Sequence, residues 1–233
     1  MFEIDPSRAI GAYAAVMTAV AAYLVLGAAT SAPTRFGTID VRRINVREDD
    51  GTLRMIIAGR DHIGGIVIGN REYPHPNRTE AGMIFFNDEG AENGGLVFNG
   101  KVIAGKPVNA GSLTFDRWHQ DQTIQITSEE DGASRHAGFI VNDRPDQPMR
   151  FDQIGALGAM KAGPAKDAAV RDAGMIGTQR VYLGSNIDRS AELSLRDAEG
   201  RKRLVFRVEP AGSPSITFLD EKGRSVSRIA PSR

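Results

Sequence analysis

The first 34 residues contain a long uncharged stretch. From Ala9 to Thr34 there is no Asp, Glu, Lys or Arg, and residues 9–30 are mostly alanine and larger apolar residues. A helix of about 20 apolar residues is long enough to cross a lipid bilayer. The pattern therefore predicts a transmembrane helix, with residues 9–30 in contact with the membrane and residues 1–34 forming an N-terminal anchor.

A cleaved secretory signal is the alternative interpretation of this segment. Such signals have a positive N-terminal region and an apolar core of roughly 7–15 residues. Here Glu3 and Asp5 accompany Arg8, and the core is longer, although Thr30-Ser31-Ala32 resembles a weak cleavage site. These features favour an uncleaved, single-pass anchor. The basic residues that flank the helix are slightly more numerous on its C-terminal side, which by the positive-inside rule favours a cytoplasmic β domain. Large domains, however, cross the membrane largely regardless of charge. We expect this domain to be extracytoplasmic.

After the anchor, apolar and polar residues alternate over short stretches. Ile124 and Ile126 flank Gln125, and a similar alternation runs through Leu204, Phe206 and Val208. Period two is typical of strands with one buried face. Three other runs are continuously apolar: Ile66–Ile68, Met83–Phe86 and Leu96–Phe98. Such runs predict strands buried on both faces, covered by a second sheet or by another subunit.

One four-residue turn signal recurs between these stretches. Its first position is acidic or Asn and its fourth is Gly, as in type I turns that join two strands. The five copies are Glu48–Gly51, Asn87–Gly90, Glu129–Gly132, Asp197–Gly200 and Asp220–Gly223. The sequence therefore predicts a mainly β fold over residues 35–233, an antiparallel hairpin-rich sheet or sandwich, preceded by one transmembrane helix.

The strand pattern is interrupted at about residues 152–178. This segment is rich in alanine and glycine, and Pro164 and Gly174 suit the first position and the C-terminal cap of a short helix. We therefore predict a short helical insertion in the β-rich domain. It is either a lid or interaction arm, or an insertion that the fold merely tolerates.

Composition excludes several functional classes. The chain has 29 basic and 29 acidic residues and no cysteine. Zero net charge argues against a nucleic-acid partner, and the absence of cysteine excludes disulfides and thiolate chemistry. The four histidines, at positions 62, 75, 119 and 136, lack metal-ligand spacing. Because nucleotide-binding and hydrolase motifs are also missing, we assign no metal, no cofactor and no catalytic residue.

The densest polar and aromatic cluster is Phe115–Gln122. It contains two carboxylates, Asp116 and Asp121, beside Trp118 and His119. Paired carboxylates next to an aromatic platform are suited to glycoside hydrolysis or carbohydrate binding. The alternative is a loop at a strand entry, in which Trp118 caps the core.

A second candidate ligand site involves Tyr73 and His75. Prolines at positions 74 and 76 stiffen this loop, which together with Asn93 would line a polar site. A rigid connection between two strands explains the same residues. The candidate ligand-binding residues are therefore Tyr73, His75, Asn93 and the cluster described above.

Part of the chain resembles a group of uncharacterised bacterial proteins with an N-terminal membrane segment and a β-rich domain. The likeness covers roughly residues 39–145, and its most specific parts are Asn87-Asp88-Glu89-Gly90 and Gln120-Asp121-Gln122. Further matching segments are 39–46, 51–55, 73–76, 81–98 and 115–116. The resemblance implies a bacterial source and a shared β-rich domain. It implies no activity.

Together these features predict a membrane-tethered, non-enzymatic scaffold or binding module of the cell envelope. The continuously apolar strands need a cover on both of their faces, and another copy of the chain can cover the second face. We therefore expect a homo-oligomer. The alternative from another class is a membrane-tethered, glycan-acting hydrolase that uses Asp116 or Asp121. A carbohydrate or small-molecule binder built around Trp118 is a third possibility.

Overall fold

The structure, a computed structural model, describes residues 6–28, 34–69, 71–75 and 78–231. The chain divides into two compact units, Met1–Val41 and Arg42–Arg233. The end of the predicted membrane segment, the candidate cleavage site at residues 30–32, and Pro76 of the predicted loop lie outside the described residues.

The first unit contains one apolar helix. Helix α1 spans Pro6–Ala28, 23 residues, which corresponds to about 35 Å of helix. Its side chains from Ser7 to Leu24 are exposed within the unit. By length and composition this helix can cross a membrane, and a signal sequence near the N-terminus meets the same criterion. The prediction of an N-terminal apolar helix is confirmed.

Within the described residues, the second unit contains a sheet of twelve strands whose spatial order follows the chain. Each described strand pairs antiparallel with its neighbour. The strands are β1 (Arg43–Arg47), β2 (Leu53–Ala58), β5 (Ala81–Phe86), β6 (Glu92–Ile103), β7 (Lys106–Asp116), β8 (Gln122–Asp131), β9 (Ser134–Asp143), β10 (Thr178–Ser185), β11 (Ala191–Arg196), β12 (Lys202–Val208), β13 (Pro214–Leu219) and β14 (Ser225–Ile229). The prediction of a mainly β, antiparallel fold is confirmed. Of the two predicted architectures, a sheet or a sandwich, the chain forms one large sheet.

Two shorter segments leave the large sheet. Between β2 and β5, a 3-10 helix (Arg60–His62) precedes the hairpin of β3 (Ile66–Ile68) and β4 (Arg71–Tyr73). Between β9 and β10 lies a helical insertion with a 3-10 turn (Phe151–Gln153), α2 (Ile154–Ala159) and α3 (Pro164–Asp172). The predicted insertion is confirmed, and α3 begins at the predicted proline.

Four of the five predicted turns form as expected. In each, the Gly amide donates to the carbonyl oxygen of the first turn residue, and the glycine φ is positive. These glycines are Gly51, Gly90, Gly200 and Gly223. At the remaining site the prediction places the turn too early, because β8 continues to Asp131 and Gly132-Ala133 forms the loop. Two similar turns were missed: Asn186–Arg189 has Arg instead of Gly at its fourth position, whereas Glu209–Gly212 fits the signal of an acidic first residue and a glycine at the fourth position.

Replacing the turn glycines tests this assignment. Gly90→Val, Gly200→Val and Gly223→Val should each lower the free energy of unfolding by about 1 kcal/mol or more, because valine strongly disfavours positive φ. Gly59→Val is the matched control, since Gly59 has φ −69° and no atom within 4 Å of an added Cβ. Urea unfolding measures the difference. Equal stability of all four variants would contradict the assignment.

One face of the sheet is apolar from edge to edge. Residues directly opposite each other on paired strands share a face, so a single cross-strand row can be followed through all twelve strands. The row consists of Ile44, Ile57, Met83, Leu96, Leu113, Ile126, Phe139, Leu183, Leu193, Phe206, Ile216 and Ile229. We call this row, together with the rows two residues to either side, the apolar face.

The second row of the apolar face has almost the same character. It contains Val46, Met55, Phe85, Gly94, Phe115, Ile124, Val141, Val181, Leu195, Leu204, Phe218 and Ser227. Apolar side chains of this face remain exposed from one end of the sheet to the other, from 38% at Ile44 to 49% at Ile126 and 58% at Ile229.

The opposite face carries the core, at the N-terminal end of the sheet. The 3-10 helix after β2 and the β3–β4 hairpin pack there, and Ile56, Ile63 and Ile84 are almost fully buried. In the run Met83–Phe86, which was predicted to be buried on both faces, Ile84 and Phe86 lie on this covered side. Met83 and Phe85 point to the apolar face and are half-buried. Further along, this face is mixed, and the row that begins at Asn45 alternates polar residues such as Thr114, Gln125, Ser194 and Thr217 with Ile140 and Val205.

Candidate functional site

A cavity of about 250 Å³ lies on the side of the sheet opposite the apolar face, where β6 begins, β7 ends and β8 begins. It is lined by Ile66, His75, Arg78, Glu92, Asp116, Gln120, Asp121, Gln122, Met149, Phe151, Ile154 and Met175. We call it the acidic cavity. Its carboxylates come from β6, from β7 and from the turn that joins β7 to β8.

Local irregularities in the strands direct these side chains. The register shifts where Phe86 pairs with Glu92, and again where Asp116 pairs with Gln122. A β-bulge at such a point re-aims the side chains at the end of a strand. Glu92, Asp116 and Gln122 are thereby brought together from three neighbouring strands.

The segment after β4 forms one wall of the cavity. The Arg78 guanidinium donates to the carbonyl oxygen of Gly65 (2.8 Å) and to Glu92 Oε1 (2.5 Å). Both side chains are largely buried, with exposed fractions of 11% for Arg78 and 16% for Glu92. His75 lies beside them, and its carbonyl oxygen accepts a hydrogen bond from the Arg78 amide (3.0 Å).

The helical insertion closes the other side. Arg144 is 6% exposed and donates to Gln120 Oε1 and to the Met175 carbonyl oxygen, each at 3.2 Å. Its Nη2 lies 3.6 Å from Asp121 Oδ2. Gln120, itself buried, donates to the carbonyl oxygen of Gln147 (2.5 Å). The insertion is therefore fastened to the β7–β8 turn by buried polar contacts, and its Met and Phe side chains form an apolar wall.

The electrostatics of the cavity are unusual at Asp116. Burial and, after it, the nearby charges of Asp121 and Glu92 raise the pKa of Asp116 from 3.8 to about 8. The arginines at positions 144 and 78 lower it, but by less. Asp116 consequently carries a proton at neutral pH.

Two further groups in the cavity are perturbed by burial. Burial raises the pKa of Glu92 against the opposing effect of Arg78. Burial and the charge of Arg78 lower the pKa of His75, which is therefore neutral at pH 7. In addition, within the part of the chain that the structure describes, three buried atoms of cavity-lining residues have no hydrogen-bond partner: His75 Nδ1, Glu92 Oε2 and Asp116 Oδ1.

The structure brings together three of the seven residues that the sequence proposed for ligand binding: Asp116, Asp121 and His75. Trp118 and His119 lie outside the acidic cavity, and their rings stack with centroids 5.1 Å apart. The segment does form a turn at the entry to β8, but Trp118 is 55% exposed, so the predicted capping of the core by Trp118 is wrong. His119 Nε2 lies 2.8 Å from Glu89 Oε2, on the neighbouring turn.

The remaining two candidates also lie outside the cavity lining. Tyr73 lies under the Arg71 guanidinium, 5.1 Å from the ring centroid. Asn93 is the extra residue where the register of β6 shifts. Tyr73 and Asn93 therefore contribute to local structure around the cavity.

Sequence reasoning missed Glu92, Arg78, Arg144 and Gln120. Glu92 follows the first residue of its turn, Asn87, by five positions, and Gln122 follows Arg117 by the same interval. This equal spacing could have shown that Glu92 and Gln122 occupy equivalent positions, because each is the first residue of the strand that follows a turn. Arg78 and Arg144 carry no comparable signal, since the contacts they make link segments distant in sequence.

The chemistry available in the cavity is that of proton transfer and polar binding. A protonated carboxyl beside other carboxylates and two arginines can donate or accept hydrogen bonds, and can act as a general acid. Within the described ranges, no group of three or more His, Asp or Glu residues is arranged to hold a metal ion.

Comparison with known proteins adds no functional assignment. No protein-family model matches the chain, and no curated protein matches its sequence.

Proposed function

We propose that this protein is a membrane-tethered, non-enzymatic scaffold or binding module that self-associates through its apolar face. The observation that supports the proposal is the row of twelve apolar residues, one on every strand of the large sheet, with side chains that remain partly exposed. Monomeric soluble proteins rarely expose contiguous apolar patches larger than a few hundred Å². A partner that covers this face removes that unfavourable exposure.

The extent of the apolar face suits a protein interface. Strands lie about 4.8 Å apart and alternate residues on one face about 6.8 Å apart, so the two apolar rows described above span roughly 800 Å² over twelve strands. A standard interface buries about 800 Å² on each partner. The face carries few charges, so another copy of the same face is a complementary partner, and two apolar faces packed together form a sandwich between chains.

The C-terminal strands provide a recess for such packing. Over β10–β14 the apolar face forms an open, shallow recess of about 770 Å³. The recess is lined by Leu183, Leu193, Phe206, Ile216 and Ile229 of the central row, with Ala191, Val208, Pro214 and Pro231 beside them. Large side chains from a second copy can be accommodated there.

Helix α1 supports the tethered part of the proposal. An anchor that crosses the membrane confines the copies to two dimensions and raises their effective concentration. We propose that the β domain lies on the extracytoplasmic side, in the cell envelope; the resemblance in the sequence implies that the source is a bacterium.

Single cysteines provide a direct test, because the chain contains none. Full-length Ile126→Cys and Phe218→Cys place a thiol on the apolar face, while Gln125→Cys and Thr217→Cys place one on the opposite face of the same strands. In isolated membranes, mild oxidation should convert the first pair into disulfide-linked dimers and leave the second pair monomeric, because only the apolar faces meet.

The same variants define the contrary outcomes. Equal cross-linking from both faces would indicate random collisions. Absence of dimers from either apolar-face position, together with a monomeric mass of the folded, detergent-solubilised chain, would contradict self-association. Protection of the apolar-face thiols from a water-soluble reagent without any cross-linking would instead assign that face to the lipid surface.

The hydrolase alternative receives less support. The acidic cavity, at about 250 Å³, is smaller than typical ligand pockets of roughly 300–1,000 Å³ and suits a group of a few heavy atoms rather than a glycan chain.

A further inference from the structure

We infer that the acidic cavity is a binding site for a primary ammonium group. This site lies on the opposite side of the sheet from the apolar face and does not depend on self-association. It combines a partly open cavity of about 250 Å³, two buried arginines and three buried polar atoms that have no hydrogen-bond partner among the described residues.

The unpartnered atoms indicate what kind of ligand fits. Glu92 Oε2 and Asp116 Oδ1 accept hydrogen bonds when the carboxyl groups are ionised, and His75 Nδ1 accepts when the proton of the neutral ring is on Nε2. A buried polar atom without a partner costs roughly 1–3 kcal/mol, and native structures leave few of them. Three acceptors in one cavity call for a ligand with several donors.

An ammonium group meets this requirement compactly. It carries three N–H donors and no acceptor, whereas a hydroxyl group offers one donor. The rest of the cavity is lined by apolar side chains, including Met149, Phe151 and Met175. Such a wall suits the methylene groups next to the nitrogen of an alkyl ammonium.

The charges of the cavity also favour exchange of a proton for a cation. Two cationic groups, Arg78 and Arg144, face two anionic groups, Glu92 and Asp121, while His75 is neutral. Glu80 also acts electrostatically on His75 and raises its pKa against the larger effects of burial and Arg78. With Asp116 protonated, these charges balance. When an ammonium group enters and Asp116 releases its proton, they balance again.

Binding should therefore strengthen as the pH rises. While Asp116 is mostly protonated, each pH unit gives about a tenfold increase in affinity, because one proton is released for each ligand bound. Alkyl ammonium groups keep their charge over this range, since their pKa is close to that of lysine, about 10.4.

Equilibrium dialysis of the detergent-solubilised full-length protein against radiolabelled methylammonium tests the inference. We expect saturable binding whose affinity rises about tenfold from pH 6 to pH 7. Tetramethylammonium, which has the same charge but no N–H donor, should not compete. Asp116→Asn should reduce the affinity at least tenfold and remove its pH dependence, whereas Glu129→Gln on the exposed β8 surface should change neither.

Competition separates the possible sources of the group. Displacement of methylammonium by N-acetyl-lysinamide identifies a lysine side chain of a protein or peptide as the ligand, and displacement by glucosamine identifies an amino sugar. Either result supports the site. No saturable methylammonium binding by the folded protein at pH 8, or equal competition by tetramethylammonium, would overturn the inference.

Discussion

Asp116→Asn should raise the free energy of unfolding by several kcal/mol at pH 9 and leave it nearly unchanged at pH 4. Burial, reinforced by Asp121 and Glu92, raises the pKa of Asp116 from 3.8 to about 8 in the folded protein. Between these values the folded state holds a proton that the unfolded state has lost. The stability from this group is complete below about pH 4 and is lost as the pH rises through 8.

The size of the effect follows from the shift in pKa. Each unit corresponds to about 1.4 kcal/mol, so a charged Asp116 costs at most about 6 kcal/mol once the pH exceeds 8. Asparagine has nearly the same shape and never ionises, so it removes this cost. Urea unfolding of both proteins from pH 4 to pH 9 measures the difference. Because other titrating groups are common to both, their contributions cancel to a first approximation.

The exposed Asp49 provides the control for this experiment. Asp49→Asn should give a pH profile parallel to that of the unsubstituted protein. A parallel profile for Asp116→Asn as well would show that Asp116 ionises normally in the folded state, and would contradict the electrostatic description of the acidic cavity.

Arg144→Met should lower the free energy of unfolding by about 3 kcal/mol at pH 7. The guanidinium is 6% exposed, donates to Gln120 and Met175, and lies 3.6 Å from Asp121. Methionine fills much of the same volume but leaves these acceptors without a donor. Removing one partner from a buried charged network usually costs several kcal/mol, and partial exposure of Asp121 reduces that cost here.

Arg117→Met is the matched control for this substitution. Arg117 also joins the β7–β8 turn to the segment after β9, through Asp146 and the carbonyl oxygens of Arg144 and Pro145, but all of these contacts are exposed: the Arg117 side chain is 41% exposed and that of Asp146 is 98% exposed. Exposed ion pairs contribute little, so the expected loss is below about 1 kcal/mol. Equal losses in the two variants, measured by urea unfolding, would contradict the view that Arg144 fastens the insertion to the sheet.

Local sequence signals were enough to predict most of the fold. Strand alternation and turn glycines act over a few residues, so the hairpins could be read directly from stretches such as Ile216–Gly223. The turn after β8 was misplaced because acidic residues at 129–131 resemble a turn opening, while in the structure they continue the strand. The unbroken apolar row could not be foreseen, since it depends on the register of every strand pair.

The acidic cavity was only partly predictable, for a physical reason. Asp116 and Asp121 flank one turn, so their proximity is a local property. Arg78 and Arg144 reach the same place through the hairpin after β2 and the insertion after β9, which depends on how distant segments pack. The perturbed pKa of Asp116 depends in turn on that packing, so no motif in the sequence reveals it.

The order of the strands has a consequence for how such a protein folds and evolves. Each strand of the large sheet pairs with the strands that precede and follow it in the sheet and in the chain, so most strand pairings join residues that are close in sequence. Such a low contact order favours rapid folding. Stability then accumulates from one strand to the next, much as in repeat proteins, and fraying begins at the edges. Adding or deleting one hairpin changes the length of the sheet while keeping the strand directions and the two faces, so a lineage can adjust the span of this surface in steps of two strands.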